Sequence, residues 1–502
     1  MNDHFKEIHL LLEEQQYDQA AKKLEELPVQ KLTGEEQSAA GALFAMLPQE
    51  ILDSSVDLCY NLTILNIQAG DMEAAKKWNG HLTSMRDTIK GTAQGRQLLE
   101  NRIFCAALCS PLIPGSNLLL NLAVLANEFG DVKFPTSKVS VTGKFPSVLR
   151  GAKDLSGLAK HYRATVSIVK PLLGAFLEDN GAGVCEAAIA ELLYEKNDLS
   201  GASLQAAAAL AAENPEVAFA ALAILARIGA VDTTSKQPAE ILSHLGDLLE
   251  KKSAHWLIPN YKAFRARFHM LRGDVDEVRR WVDSCELNEL NGCILRDSYE
   301  LITKAKAYIA LGEYMSAATL LESLTLSMQK EQRILDTVEC LVNGAIVCEL
   351  LGNGELALQK LEQALLLAQE YGYIRVFADH GKLLFHLIVR YIKEAQAHEE
   401  LSDKYIKKIT EAAKVYSTLY PALYQARNGG GDGNAEESEE LTQSELHVLQ
   451  LLDEGKSNKD IADKLHISNS TVKKHIAHIF TKLKAANRVE AIKNARGLGI
   501  LA

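Results

Sequence analysis

Three glycines in the second half of the chain recur at nearly constant spacing: Gly273, Gly312 and Gly352 stand 39 and 40 residues apart. Each opens a short polar turn. Five residues after each comes a small or medium apolar residue, Val278, Ala317 or Ala357. Nine residues after comes another, Val282, Leu321 or Leu361. In a helix these two positions lie one turn apart on the same face. Related phrases occur at Gly70-Asp-Met-Glu-Ala-Ala75 and, with asparagine at the turn, at Asn197-Asp-Leu-Ser-Gly-Ala202. A tight turn followed by a helix with a small inward residue, repeated at a period of about 40, describes stacked helical hairpins. An α-solenoid is therefore expected over residues 190–425. The competing pattern is an irregular helical bundle that happens to use glycine turns.

Composition agrees with an all-α chain. Hydrophobic residues make up 47%, charged residues 24% and aromatics only 6%, with Ala and Leu abundant. At 502 residues the chain exceeds one ordinary core. The expected units are an N-terminal helical region (1–150), a helical-repeat sensor or interaction domain (151–426), a linker (427–440) and a C-terminal domain (441–502). Residues 111–151 hold Pro111, Pro114, Pro135 and Pro146 and the β-leaning piece Lys138-Val-Ser-Val-Thr142. They break the helical pattern and are expected to separate the N-terminal region from the repeats. The linker combines glycines and acids with no large apolar residue, so it is expected to be flexible. The polar N-terminus has no signal core, and no long uncharged apolar stretch spans a membrane. A cytoplasmic protein is expected. The eight cysteines include no CxxC pair and read as buried free thiols. Cys105 and Cys109, one turn apart, could form a thiol sensor, but core packing is the preferred reading.

Charge is unevenly spread. The net charge is −11. Residues 441–502 carry ten Lys/Arg against six Asp/Glu, so the remainder carries −15. Only this small basic module has the charge for double-stranded DNA. It reads as four helices. Thr442 and Glu445 have capping-box spacing for the first. The second runs from Ser457 or Asn458 to Leu465. Ser468 or Ser470 caps the third, whose inner face is Val472, Ile476, Ile479 and Leu483. The fourth starts near Arg488. Two short helices joined by a tight turn make a helix-turn-helix, here at about residues 456–475. No acid lies between Asp463 and Glu490, a window with Lys464, Lys473, Lys474, Lys482, Lys484 and Arg488. Asn469, Lys473, Lys474 and His478 sit on the outer face of the third helix and suit base edges. Ser468 and Thr471 suit phosphates. Lys482 and Lys484 are equally well read as a solvated face, and His475 as a packing or phosphate residue rather than a metal ligand.

The string Leu441-Thr-x-x-Glu445, Gly455-x-x-Asn458-Lys459-x-Ile461-Ala462, Leu465-x-Ile467-Ser468-x-x-Thr471-Val472-Lys473-x-His475-Ile476 and Ile479-Phe480-x-Lys482-Leu483 resembles the LuxR-type DNA-binding domain. The resemblance implies that Lys473 and Lys474 read bases and that Asn458, Lys459, Ser468 and Thr471 touch the backbone. It also implies a dimer on DNA through the last helix, around Val489, Ile492 and Ala495. Ser444 and Ala477 depart from the family pattern, which puts one phosphate or salt-bridge contact and one base contact in doubt. Upstream, residues 351–365 and 369–381 resemble the tetratricopeptide-like sensor domain of MalT-like regulators. The phosphate loop GxxxxGK[ST] of such regulators is missing: Val141-Thr-Gly-Lys144 lacks both the upstream glycine and the following Ser or Thr. Either this member lacks the ATPase or that module belongs to a longer parent chain. No cofactor is expected.

The resemblance implies a transcription regulator whose repeats bind a small inducer or a protein partner and gate the DNA-binding domain. The polar-aromatic cluster Tyr371, Tyr373, Arg375, Phe377, Asp379 and His380 either lines the concave face or closes the array against the last helices. The second is favoured. The alternative function is an interaction scaffold that uses DNA only for localisation. No paired carboxylates, nucleophile motif or metal cluster supports an enzyme.

Overall fold

The computed structural model describes the chain apart from residues 1–2, 89–92, 110–139, 141, 160–161, 164–165, 168, 172–180, 232–236, 286, 288–294, 395–399, 421–422, 424–440, 442, 466–468, 484, 486, 498–499 and 502. The linker, Thr442, Ser468 and three of the four prolines of the 111–151 segment thus lie outside the described residues. The helices are α1 Asp3–Glu13, α2 Tyr17–Glu25, α3 Gly34–Ala45, α4 Gln49–Ser54, α5 Val56–Ala69, α6 Met72–Thr88, α7 Ala93–Cys109, α8 Val184–Glu195, α9 Leu199–Ala209, α10 Pro215–Gly229, α11 Pro238–Lys251 and α12 Ile258–Arg272. They continue with α13 Val275–Asp283, α14 Ser298–Leu311, α15 Tyr314–Lys330, α16 Ile334–Leu350, α17 Gly354–Gln369, α18 Gly381–Glu394 and α19 Asp403–Leu419. The module holds α20 Gln443–Asp453, α21 Asn458–Leu465, α22 Asn469–Lys482 and α23 Arg488–Gly497. Among the described residues there is no strand, only an isolated bridge between Arg150 and Asp154. None of the described helices is long and apolar enough to cross a membrane.

Consecutive helices pair as hairpins from α8 to α19, as the repeat pattern predicts. All five turn residues singled out in the sequence are left-handed: Gly70, Asn197, Gly273, Gly312 and Gly352 have φ of 81°, 66°, 72°, 82° and 76°. In each, the next residue donates back to the carbonyl five positions earlier, as Glu313 N does to Tyr308 O at 2.8 Å and Asn353 N to Cys348 O at 2.8 Å. This closes a Schellman turn and reverses the chain. A Cβ on Gly273, Gly312 or Gly352 would meet nothing within 4 Å. Glycine is needed there for its backbone freedom, not for space. The inward residues are buried as expected: Val278, Ala317, Ala357, Leu321 and Leu361 are all at or below 2% exposure.

Among the described residues no break in packing marks residue 150. One apolar core runs from Phe5 in α1 through α5 and α7 to Ile228 in α10. The described part of the proline-bearing segment is no spacer either. Residues 142–155 are irregular, yet Phe145, Val148 and Leu149 are buried at 3% exposure each. Buried backbone outside a helix must find partners elsewhere. Glu191 of α8 accepts from Val148 N at 3.1 Å, Leu149 N at 2.6 Å and Ser147 Oγ at 2.9 Å. Glu216 of α10 accepts from Thr142 N and Ser140 Oγ. Arg333 donates to the carbonyls of Arg150 and Gly151 at 2.7 and 2.8 Å. The segment fills the middle of the repeat body.

The 371–380 cluster closes the array, as favoured. Tyr373, Arg375 and Phe377 are at most 1% exposed. Tyr373 donates to Ser156 Oγ at 2.7 Å, and its carbonyl accepts from Tyr405 of α19. Ile374 N donates to Glu195 O at 2.6 Å, tying this turn back to α8. Cys59, Cys105 and Cys185 form no disulfide, and burial pushes their thiols up to about 12, 11 and 11. A thiol held protonated is a poor redox sensor, which argues for packing at Cys105. The side chain of Cys109 lies outside the described residues.

Candidate nucleic-acid interface

The module has its own apolar core, built from one stripe per helix: Val448, Leu449 and Leu452 of α20, Ile461 and Ala462 of α21, Val472 and Ile479 of α22, and Ala491 and Ala495 of α23. Most of these are at or below 1% exposure. Truncating one, such as Ile479→Ala, should cost about 2–5 kcal/mol. The start of α21 is fixed locally. Ser457 Oγ accepts from Asp460 N at 3.2 Å, while the Asp460 carboxylate accepts from Ser457 N at 3.1 Å. This reciprocal cap places Asn458 and Lys459 in the first turn, half-buried and exposed respectively. Asn487 Oδ1 caps α23 by accepting from Glu490 N at 3.0 Å.

The cationic window divides into two kinds of residue. Lys482 turns inward and donates to Glu445 at 2.8 Å, with Glu445 only 3% exposed. Glu445 therefore neutralises a lysine inside the module. Arg488 reaches back to α20, donating to Lys456 O at 2.8 Å and to Leu452 O, where a cation suits the end of a helix. Lys464 pairs with Glu454 at 3.4 Å. Lys473, by contrast, is exposed on α22 and has no ion-pair partner among the described residues. His478 is exposed on the same helix, 3.9 Å from Glu445. The side chains of Asn469, Thr471, Lys474, Ala477 and Ser444, and all of Ser468 and Lys484, lie outside the described residues.

On the last helix, Val489 is 76% exposed and Ile492 half-buried. Ala495 corrects the expectation. It is at 0% exposure inside the module's own core, because α23 turns that face onto α20 and α22, so it has nothing to offer a second copy.

One residue of the third helix faces the repeat body. His475 is 1% exposed, and its Nε2 shares a hydrogen bond with Thr319 Oγ1 of α15 in the repeat body. Burial pushes its imidazole down to about 4, partly offset by Glu445 and reinforced by His478. It is a neutral packing residue at pH 7. Sequence spacing marked His475 as a packing candidate but held no signal for the body residue it would meet.

Comparison with known proteins agrees with both halves. Residues 159–394 match a family model described as MalT-like TPR region, and residues 439–495 match one described as bacterial regulatory proteins, luxR family. The HTH-type transcriptional regulator MalT of Vibrio cholerae is 26% identical over 282 residues, covering 55% of this chain and 31% of that protein. Those of Vibrio campbellii and Vibrio parahaemolyticus are 26% identical over 284 residues, with the same coverage. The match thus spans about a third of the length of these relatives. With helical repeats before it and a helix-turn-helix at its end, the chain joins a region like the TPR region of MalT to a domain like those of the luxR family of bacterial regulatory proteins.

Proposed function

We propose that this protein is a sequence-specific DNA-binding regulator whose repeat body decides when its C-terminal module reaches DNA. The observation that carries the reading is the division of cations on the module. Lys482 and Arg488 are spent inside it and Lys464 sits in a surface pair with Glu454, whereas Lys473 stands exposed on the outer face of the second helix of the motif with no such pair among the described residues. A lysine there donates to base edges in the major groove. Lys474, Asn469 and His478 would share base reading. Asn458, Lys459, Ser468 and Thr471 would hold phosphates, and Val489 with Ile492 would form a dimer contact. The buried thiols of Cys59, Cys105 and Cys185 fit work in the reducing cytoplasm.

Gating is supported by the hydrogen bond between His475 and Thr319, which places the reading helix against α15. The contact would tether the module to the body through the side of α22 opposite Lys473, and DNA binding would proceed on release of that tether. Replacing Thr319 touches only the body. One net hydrogen bond is worth about 0.5–1.5 kcal/mol, so Thr319→Ala in the full chain should tighten DNA binding roughly two- to tenfold in a fluorescence-anisotropy titration. Unchanged affinity would remove the gating part of the reading.

A further inference from the structure

The interior of the repeat body is charged. Residues of the 142–155 segment and of α8, α10, α12, α14 and α16 enclose a cavity of about 90 Å³. On one side three cations converge on a single carboxylate. Glu339 accepts from Arg150 at 2.6 Å, Arg267 at 2.8 Å and Lys306 at 3.1 Å, and is 4% exposed. The nearby Asp336 also meets Arg150, at 3.5 Å, but Arg333 already holds it at 2.6 Å. Glu191 also lines the cavity, but its carboxyl is engaged by the amides of Val148 and Leu149, so on this side three cations share the one carboxylate of Glu339. The other side is matched, with Arg227 between Glu195 at 2.8 Å and Asp379 at 3.4 Å.

Two buried guanidinium nitrogens at this cavity, Arg267 Nη2 and Arg375 Nε, have no hydrogen-bond acceptor among the described residues. Arg375 is 1% exposed. Leaving such donors unmet is costly, more so for charged groups. Tyr299 lies 4.3 Å under the Arg267 guanidinium and Tyr194 lies 4.1 Å under Arg227, which fixes both planes before anything binds. Burial, with Arg267 and Arg150 alongside and Glu339 opposing, presses the Lys306 ammonium down to about 8. Water would fill hydrogen bonds here but supplies no charge.

We propose that this cavity binds one compact organic anion, a small carboxylate or a phosphate monoester, whose charged group bridges Arg267 and Lys306. A water needs roughly 10–15 Å³ of such space, so the cavity suits a ligand of about six to ten non-hydrogen atoms and excludes a nucleotide or an oligosaccharide. The site deepens the sensing reading above by naming the chemistry sensed. It is tested without DNA, so failure here leaves the DNA-binding reading standing, and the reverse also holds.

The experiment is calorimetry and thermal denaturation of the full chain with malate, glycerol 3-phosphate, inorganic phosphate and, as a neutral control of similar size, erythritol. At least one anion should bind and raise the melting temperature, and erythritol should not. Malate alone assigns a carboxylate, and the two phosphates alone assign a phosphoryl group. Lys306→Met, which leaves Glu339 two cations, and Arg267→Lys should each weaken binding at least tenfold. Lys252→Met on the outer surface should leave it unchanged. No binding by any of the three anions at millimolar concentration would overturn the proposal. So would equal binding of erythritol, or undiminished binding by a folded Lys306→Met protein.

Discussion

The module and the repeat body bury charge in opposite ways. The module keeps an apolar core and admits one carboxylate, Glu445, answered by Lys482. The body surrounds an irregular segment with Arg227, Arg267, Lys306 and Arg333, paired with Glu195, Asp336 and Glu339, while Glu191 accepts from the segment's own amides. A four-helix domain can be specified by apolar stripes alone. A hollow array filled with non-helical backbone cannot, because every buried amide and carbonyl needs a polar partner. The difference locates stability in the module in its stripes, and in the body in its ion network.

The largest test of that contrast is Glu339→Gln. It leaves three buried cations without their shared carboxylate and should cost the body about 3–5 kcal/mol, read as a fall in the first thermal transition of the full chain. A loss below about 1 kcal/mol, the value of a surface pair, would put the two regions on the same footing.

Opposite pH responses come next. Burial raises the Glu191 carboxyl from 4.5 to about 7, so the folded body keeps a proton that the unfolded chain has lost. Its contribution is full below pH 4.5 and is lost as pH rises through 7. Burial lowers His475 from 6.5 to about 4, so its contribution is present above pH 6.5 and is lost as pH falls through 4. Each is worth on the order of 3 kcal/mol at full extent. Glu191→Gln should flatten the loss of body stability between pH 5 and 8, and His475→Gln should flatten the acid-side release of the module, followed by the rate of linker cleavage. Identical pH profiles in wild type and variants would refute both assignments.

Lys473 and Lys482 sharpen the comparison within the module. Lys473→Ala should cost about 1–3 kcal/mol of specific DNA affinity and leave the melting temperature unchanged. Lys482→Ala should do the reverse, destabilising the module because the buried Glu445 loses its nearest cation. The smallest effect is expected at Gly312→Ala, where a left-handed residue gains a Cβ at a strain of about 1–2 kcal/mol, seen in the body's thermal transition alone.

The turns of the solenoid and the stripes of the module were legible in the sequence for the same reason. A left-handed residue leaves glycine or asparagine behind, as at Gly312 and Asn197, and a buried helix face leaves apolar residues three and four apart, as at Val472, Ile476 and Ile479. The central segment was not legible. Its partners Glu191, Glu216 and Arg333 stand far along the chain, and nothing local distinguishes a buried carboxylate from an exposed one. The cationic window was half legible. Lys482 and Arg488 look like Lys473 in sequence, and only the inward positions of Glu445 and the α20 carbonyls separate them. Ala495 failed likewise, since a short apolar residue fits a core and an interface equally well.

The proposed function turns on whether the exposed Lys473 face of α22 reads DNA sequence. Selection of binding sites by the full chain from a random double-stranded library tests it most directly. The proposal predicts an enriched motif in the wild type that loses definition at one or more positions in Lys473→Ala. A wild type that enriches no motif, or a variant that enriches the same motif as sharply, would contradict it.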